Sequence, residues 1–276
     1  MFTHLQKVSI IAKGRYSEIY KYVNTVTTDL YVIKKHPKVV LGYKKECNVR
    51  ELDVFKRIQP DTHPNIVKYY GYSEDEEDGY FLLEYINGYD LNRIINESKT
   101  NKIEKYISKE SVLNYVEQLI EGLEYLHGKG IYHCDIKPEN ILVYKDRVKI
   151  VDFGSSIISS KQVINVKDED FIGTPGHLPP EIADYTYRGD VDLEHVDVFG
   201  LGSVLFFCYT KFVPFIGKMS LDTSNNVKNM NVDLNLVKDE GVRNILKHIF
   251  TKTDRWTLSK VKEEIVKLIE KGNHIQ

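Results

Sequence analysis

Short apolar runs separated by turn residues open the chain. VSIIA at 8–12, EIYKYVN at 18–24 and DLYVIKK at 29–35 are β-branched or aromatic stretches of strand length. From Lys44 to Ile58 the period changes. Val49, Leu52, Phe55 and Ile58 recur at helical spacing, which predicts a helix with that face buried. HPNIVKYYGY breaks the helix and supplies another strand, and the charged turn SEDEEDG at 73–79 leads into the apolar strand YFLLEYI at 80–86. After Gly88 the pattern becomes helical. Residues 108–130 open on Ser108 as an N-cap and end on glycine, with Val112, Val116, Leu119, Leu123 and Leu126 on one face. Further helices are predicted over 195–210, 238–250 and 257–271, while 216–240 is polar, weakly periodic and unassigned. The pattern therefore predicts a small β-rich lobe at 1–86 containing one helix, and a helical lobe at 87–276.

Composition narrows this only a little. A chain of 276 residues suffices for one large domain or two lobes around a cleft. Its net charge of -2 exerts no global pull on nucleic acid or anionic membrane, and neither is expected as a partner. The most apolar run, VFGLGSVLFFCYT at 198–210, is too short to span a bilayer, so a buried core helix is expected there and no membrane insertion. The three cysteines, Cys47, Cys134 and Cys208, show neither metal-ligand spacing nor a disulfide framework. Together with an N-terminus that lacks a signal-peptide layout, they predict a reducing compartment, the cytoplasm. Abundant Lys, Asn, Ile and Tyr suggest an AT-rich genome of a parasite, intracellular bacterium or virus, in which case the compartment is the host cytoplasm.

Candidate chemistry is concentrated in IYHCDIKPENILV, 131–143. Asp135 can accept a proton from a hydroxyl, Lys137 can steady a transferring phosphate, and Asn140 can reach a divalent cation. A loop between a helix and the strand ILV can turn all three toward one point. In VKIVDFGSS, Asp152 follows an apolar strand and precedes a glycine, a context that suits a carboxylate presenting oxygens to Mg²⁺. Each piece alone reads as an ordinary turn or strand end. Their order and spacing make that reading poor for the set.

At this point the sequence resembles the protein kinase family, serine/threonine class, over nearly the whole chain. The matching stretches are IAKGRYSEIY, YVIKK, HCDIKPEN, DFG and LPPE. The resemblance implies an α+β, two-lobed fold: one catalytic domain over 1–276, with a small antiparallel sheet and one helix before a larger helical lobe. It implies transfer of the γ-phosphoryl group of ATP, with Mg²⁺, to a protein substrate bearing a Ser or Thr acceptor. Lys34 would hold the α/β-phosphates and pair with a helix glutamate, Glu51 in preference to Glu46. Asp135 would orient the hydroxyl, with Lys137 and Thr174 beside it, and Asn140 and Asp152 would bind the metal. Ile11, Ala12, Lys13, Gly14, Arg15, Tyr16, Ser17, Glu18 and Ile19 would form the nucleotide loop. Ile11, Ile19, Val32 and Leu142 would sandwich adenine, with Glu84 and Ile86 at the hinge. Glu181 with Arg255, and Asp197 beneath the loop, resemble the family's structural anchors.

The departures carry further expectations. Of three loop glycines only Gly14 remains; Ala12 and Ser17 are small enough to let the backbone approach phosphate, and KGRYSEIY is similar to the loop of casein kinase two. A working but less mobile loop is expected. Val32 in place of the usual alanine should narrow the adenine pocket. Cys134 occupies the place of an arginine that clamps a phosphorylated activation loop, so activity should not require phosphorylation of residues 155–172. Asp168, Glu169 and Asp170 would help set that loop or be a solvated charge run. A reactive thiol is the other reading of Cys134, disfavoured by neighbouring Asp135. His177 replaces a common tyrosine and leaves the seat of the residue after the acceptor open. The basic run from Lys34 to Arg50, with Lys35, Lys38, Lys44 and Lys45, would attract acidic substrates or form a solvated face. Two rival functions remain: a pseudokinase scaffold, which usually lacks one of Lys34, Asp135 and Asp152, and a small-molecule kinase, which usually lacks a segment like GTPGHLPPE. No oligomeric state is expected from the sequence.

Overall fold

The computed structural model of the chain describes residues 2–14, 17–38, 44–97, 107–167, 169–184 and 186–273, and side chains throughout these except at 44–47 and 273. Arg15, Tyr16 and Asp168, and the side chains of Lys44, Lys45, Glu46 and Cys47, thus lie outside the described residues.

The β-branched and aromatic runs form strands β1 (Leu5–Lys13), β2 (Glu18–Asn24), β3 (Leu30–Pro37), β4 (Tyr69–Glu74) and β5 (Asp78–Glu84). They make an antiparallel sheet in the order β1-β2-β3-β5-β4, whose register sets Lys34 opposite Ile19 and Phe81. The charged turn before β5 is shorter than 73–79, because β4 runs to Glu74 and β5 begins at Asp78. Helix α1 (Lys44–Ile58) has the expected limits. Its buried face does not: Val49 is 49% exposed, whereas Glu51 is 2% exposed and Val54, Phe55 and Ile58 are buried. The stripe is rotated because a carboxylate, not a valine, meets β3.

After β6 (Tyr89–Asp90), helix α2 (Leu91–Glu97) buries Leu91, Ile94 and Ile95. It is two turns long, too short to leave a readable period. Helix α3 (Lys109–Gly128) starts where Ser108 accepts a hydrogen bond from the backbone N–H of Ser111, 3.1 Å, and buries all five expected residues. β7 (Ile131–Tyr132), β8 (Ile141–Tyr144), β9 (Arg147–Ile150), β10 (Ile157–Ile158), β11 (Val163–Asn165) and β12 (Asp190–Asp192) are short pairings around the loops, with β6-β8-β9 forming one small sheet. Between β11 and β12 lies the four-residue helix α4 (Pro180–Ala183). Helix α5 (Leu193–Thr210) is mostly apolar after its first turn and buried on all sides from Val196 through Phe207, as a core helix must be. Gly200 lets it press against the loop above, since a Cβ there would lie 2.7 Å from the Ile136 carbonyl oxygen.

The unassigned stretch 216–240 contains α6 (Ser220–Lys228) and a 3₁₀ turn at Leu234–Leu236. Only Thr223, Ser224 and Val227 of α6 are buried, so tertiary contact rather than an apolar stripe makes it helical. α7 (Glu240–Ile249) and α8 (Leu258–Asn273) close the chain's described part. No described helix is long and apolar enough to cross a membrane. One hydrophobic core joins both lobes. Phe153 packs edge-on against Phe55 of α1 at 5.5 Å and at a tilt against the His133 ring at 5.3 Å, bridging the lobes beside the cleft.

Candidate active site

Between the lobes lies a cleft of about 1360 Å³. Ile11, Ile19, Val32 and Leu142 line it, as do Glu84 and Ile86 where the chain passes between the lobes, so the residues expected to hold a flat ring are brought together. The Ile86 carbonyl accepts the Gly88 N–H at 2.9 Å, which curls the connecting segment there. The Glu84 carboxylate turns away to Lys149 at 2.8 Å. Ala12, Lys13, Gly14 and Ser17 line the roof, and the Gly14 N–H closes the tip of the hairpin on the Ser17 carbonyl at 2.8 Å. Glu18, expected in the loop, does not line the cleft. Its carboxylate is taken by Lys13 at 2.7 Å and by the Tyr20 hydroxyl. That clasp ties β1 to β2 at the cleft's lip.

At the back, Lys34 Nζ donates to Glu51 Oε1 and Oε2 at 2.8 and 2.7 Å and to Asp152 Oδ1 at 2.8 Å. β3 supplies the ammonium, α1 one carboxylate and the segment after β9 the other. Burial works against the charge on Lys34, but the Asp152 and Glu51 carboxylates outweigh it and hold the ammonium above its ordinary range. Burial pushes Glu51 upward against the pull of Lys34. Lys34 pulls Asp152 down to about 2, against its own desolvation. Asp152 is therefore ionised and half exposed to the cleft, with a left-handed backbone at φ 66°.

The second cluster forms beneath it. Asp135 Oδ1 accepts the Thr174 N–H at 2.9 Å, and Lys137 Nζ donates to Asp135 Oδ2 at 2.7 Å and to Thr174 Oγ1 at 2.6 Å. Asn140 Nδ2 donates to the Asp135 carbonyl at 2.9 Å and to Oδ2 at 3.2 Å. Because Val151 N–H bonds the Asn140 carbonyl at 3.0 Å, Asp152 follows directly on a residue pinned to Asn140. A carboxylate and an amide, both hard oxygen donors, fit Mg²⁺, which accepts few protein ligands and keeps its phosphate partners.

The loop is braced from below. Asp197 of α5, fully buried, accepts the N–H groups of His133 at 2.9 Å and Cys134 at 2.7 Å and the Nε2–H of His127 at 2.8 Å. This holds Cys134 at φ 59°, a left-handed turn that a side-chain-bearing residue adopts only at a cost. Glu181 pairs with Arg255 at 2.7 Å, so that anchor too is formed.

Cys134 is 1% exposed, and burial, then Asp197, pushes its thiol well above the ordinary range. Asp135 adds only a small push. That environment removes the thiolate a reactive cysteine needs. Among residues the sequence reading missed, Arg50 stands out. Its guanidinium donates to the Asp170 carbonyl at 2.8 Å and lies 3.6 Å from Glu169, tying α1 to the segment ahead of Thr174. The sequence offered only its place beside Glu51, at the end of the basic run read as a solvated face or a lure for acidic substrates. His133 was also unassigned; its Nε2–H donates to the Val151 carbonyl at 3.1 Å and so fixes the strand that delivers Asp152. Lys35 and Lys38, expected to face solvent or acidic substrates, are engaged by Asp78 at 2.7 Å and Glu74 at 3.1 Å.

The two-lobed fold thus sets a lysine–glutamate pair above the cleft and an Asp-Lys-Thr-Asn cluster below it. The chain belongs to the protein kinase domain family, whose family model matches residues 5–273. It is 31% identical to a probable serine/threonine-protein kinase of Dictyostelium discoideum, over 74% of this chain and 30% of that protein. It is 30% identical to CBL-interacting serine/threonine-protein kinase 12 of Arabidopsis thaliana, over 75% of this chain and 40% of that one. With the MAP kinase kinase kinase wis4 of Schizosaccharomyces pombe it shares 31% identity over 76% of this chain and 15% of that one. The match thus spans less than half the length of these relatives.

Proposed function

We propose that the chain transfers the γ-phosphoryl group of ATP to serine or threonine hydroxyls of proteins. The observation that carries this reading is the convergence of Lys34, Asp152 and Asn140 on one cleft, with Asp135 just behind its wall, bonded to the lining residues Asn140, Lys137 and Thr174. Lys34 holds the nucleotide's α/β-phosphates, kept in place by Glu51. Asn140 and Asp152 hold Mg²⁺, which when bound neutralises phosphate charge. Asp135 accepts a hydrogen bond from the acceptor hydroxyl and orients it, and Lys137 balances charge on the transferring group. The hydroxyl of Thr174, held by Lys137, favours the serine/threonine class as read from Lys137 in the loop. All three residues whose loss would mark a pseudokinase are present and paired, which favours the enzyme over a nucleotide-binding scaffold. Glu181–Arg255 and the Thr174 segment favour a polypeptide over a small-molecule acceptor. We expect Mg·ATP to label a generic acceptor protein and Asp135→Asn to lose at least about a hundredfold in kcat with nucleotide binding retained. Equal labelling by both proteins would favour the scaffold.

The reading extends to regulation. Activity does not require phosphorylation of residues 155–172. Support comes from Arg50, a cation from α1 that engages Glu169 and the Asp170 carbonyl where residue 134 brings no charge. Phosphatase treatment is expected to leave the rate unchanged. Loss of activity on treatment, restored by phosphate on that segment, would overturn this part. The cytoplasm is the expected compartment, because the three cysteines show no disulfide framework in their spacing.

A further inference from the structure

The hairpin that roofs the cleft is thinly packed. β1 is exposed from Gln6 to Lys13, and β2 is only half-buried along its whole length. What stiffens the pair is polar. Glu18 of β2 takes Lys13 of β1 at 2.7 Å and the Tyr20 hydroxyl, and the Lys7 ammonium of β1 lies 3.7 Å from the centre of the Tyr20 ring. These contacts brace the hairpin internally and do not set its height above the cleft.

That height depends on what β2 touches outside the hairpin. The register sets Lys21 opposite Val32 of β3, two residues beyond Ile19 and on the same face, the one toward the cleft. Lys21 Nζ donates to the Tyr85 hydroxyl at 3.2 Å and stands 4.4 Å from the centre of the Tyr85 ring. Among the described residues no carboxylate competes for that ammonium. Tyr85 is in turn presented by a fixed segment. Its neighbour Glu84 accepts the Lys68 N–H at 3.1 Å and pairs with Lys149 at 2.8 Å, while the Ile86 carbonyl holds the Gly88 N–H. Tyr85 and Asn87 both line the cleft, and the Tyr85 hydroxyl donates onward to Asn87 Oδ1 at 3.4 Å. A lysine and a tyrosine 64 positions apart thus bridge the roof to the segment connecting the lobes.

We propose that Lys21 and Tyr85 are positioning residues for the nucleotide: the ammonium latches the hairpin onto the connecting segment, fixes the gap between Ile19 and Val32 above and Leu142 below, and so sets how long a nucleotide stays. This rests on the reading of the cleft as a nucleotide site and adds the contact that holds its roof down. Neither residue takes part in the transfer. The ring's quadrupole attracts the cation, and the hydroxyl adds a charge-assisted hydrogen bond. Removing the charge loses both, whereas arginine, which also stacks on aromatic rings, restores them.

The test uses the full chain with Mg²⁺ and ADP carrying a fluorescent methylanthraniloyl group, its release followed by stopped flow, beside steady-state kinetics with a generic acceptor protein. Lys21→Met keeps the aliphatic stem and removes the charge. It should speed release of the analogue and raise KM for Mg·ATP, each about fivefold, with KM for the acceptor protein and the urea midpoint unchanged. Lys21→Arg should stay within about twofold of the wild type. Tyr85→Phe, which keeps the ring and loses the hydroxyl, should fall between them. In a Tyr85→Leu background Lys21→Met should add nothing, because its partner is gone. Unaltered release in Lys21→Met, an arginine variant as fast as the methionine one, or an undiminished effect of Lys21→Met in the Tyr85→Leu background each overturns the proposal. Failure of every protein to label the acceptor overturns the kinase reading alone, since release of the analogue is read without transfer. An analogue that does not bind the wild type overturns both. Should Lys21→Met or Tyr85→Leu fail to fold, Lys21→Gln and Tyr85→Phe replace them in the same cycle, and additive effects end the proposal.

Discussion

At the scale of single residues, the site is built from charges that offset one another's burial. Lys34 is 9% exposed and Glu51 2%, and each would be costly alone. Glu51→Gln keeps the shape but leaves the ammonium held by Asp152 alone, the group proposed for the metal. The expected result is a rise in KM for Mg·ATP and a fall in kcat of tenfold or more, read by steady-state kinetics. His177 makes a separate prediction about stability. Burial pulls its folded pKa to about 4, below the ordinary 6.5, so the folded state binds its proton less readily than the unfolded chain. No penalty exists above pH 6.5. As the pH falls from 6.5 toward 4 the unfolded state takes up the proton first and stability declines, by about 3 kcal/mol at most at ~1.4 kcal/mol per tenfold in proton affinity. Urea titrations of wild type and His177→Phe across that window should diverge, the variant declining less. Asp135 and Lys137 are the charged groups acting on the ring and are shared by both proteins.

At the scale of elements, two helices carry the loop geometry. α5 contributes Asp197, whose carboxylate caps two backbone N–H groups of a left-handed turn and the ring of His127. Asp197→Ala strands those donors in the core. We expect a loss of about 3–5 kcal/mol in unfolding free energy by chemical denaturation, with Asp135 misplaced in whatever folds. α1 contributes both Glu51 and Arg50, so one helix positions the lysine and holds residues 169–170. Arg50→Ala should speed amide hydrogen exchange in 163–171 and lower kcat, with little change in global stability, because a partly exposed pair as long as 3.6 Å adds little by itself. Unchanged exchange there would remove Arg50 from the account of regulation. The helices were legible unequally. α1 and α3 announced themselves by apolar periods, α3 also by its Ser108 cap, and α5, α7 and α8 were expected over 195–210, 238–250 and 257–271. α2 and α6 did not, since two turns with a few buried residues give too little pattern to read.

At the scale of the whole molecule, the cleft exists because two lobes share one core through Phe153 while their polar groups face a common space. A nucleotide bound there with Mg²⁺ touches both lobes and binds only the folded state. At about a hundred times its Kd it should raise the unfolding free energy by about 2.7 kcal/mol, seen as a higher Tm. Asp152→Asn should abolish the additional rise that Mg²⁺ gives over nucleotide alone.

The sequence by itself determined the strand and long-helix order, and with it which residue types could meet: short motifs such as DFG and HCDIKPEN keep their chemistry within a few residues of chain. It also showed that Cys134 could not clamp a phosphate, because charge is a property of the residue and not of its surroundings. Only the tertiary structure decided that the stripe of α1 is led by Glu51 rather than Val49, that Glu18 clasps Lys13 instead of lining the cleft, and that Arg50 reaches residues 169–170, 120 positions away in the hydrogen bond to Asp170. Periodicity reports which face of a helix is apolar. Where a buried ion pair takes that face, or a partner comes from distant chain, the outcome depends on desolvation and packing that no local pattern encodes.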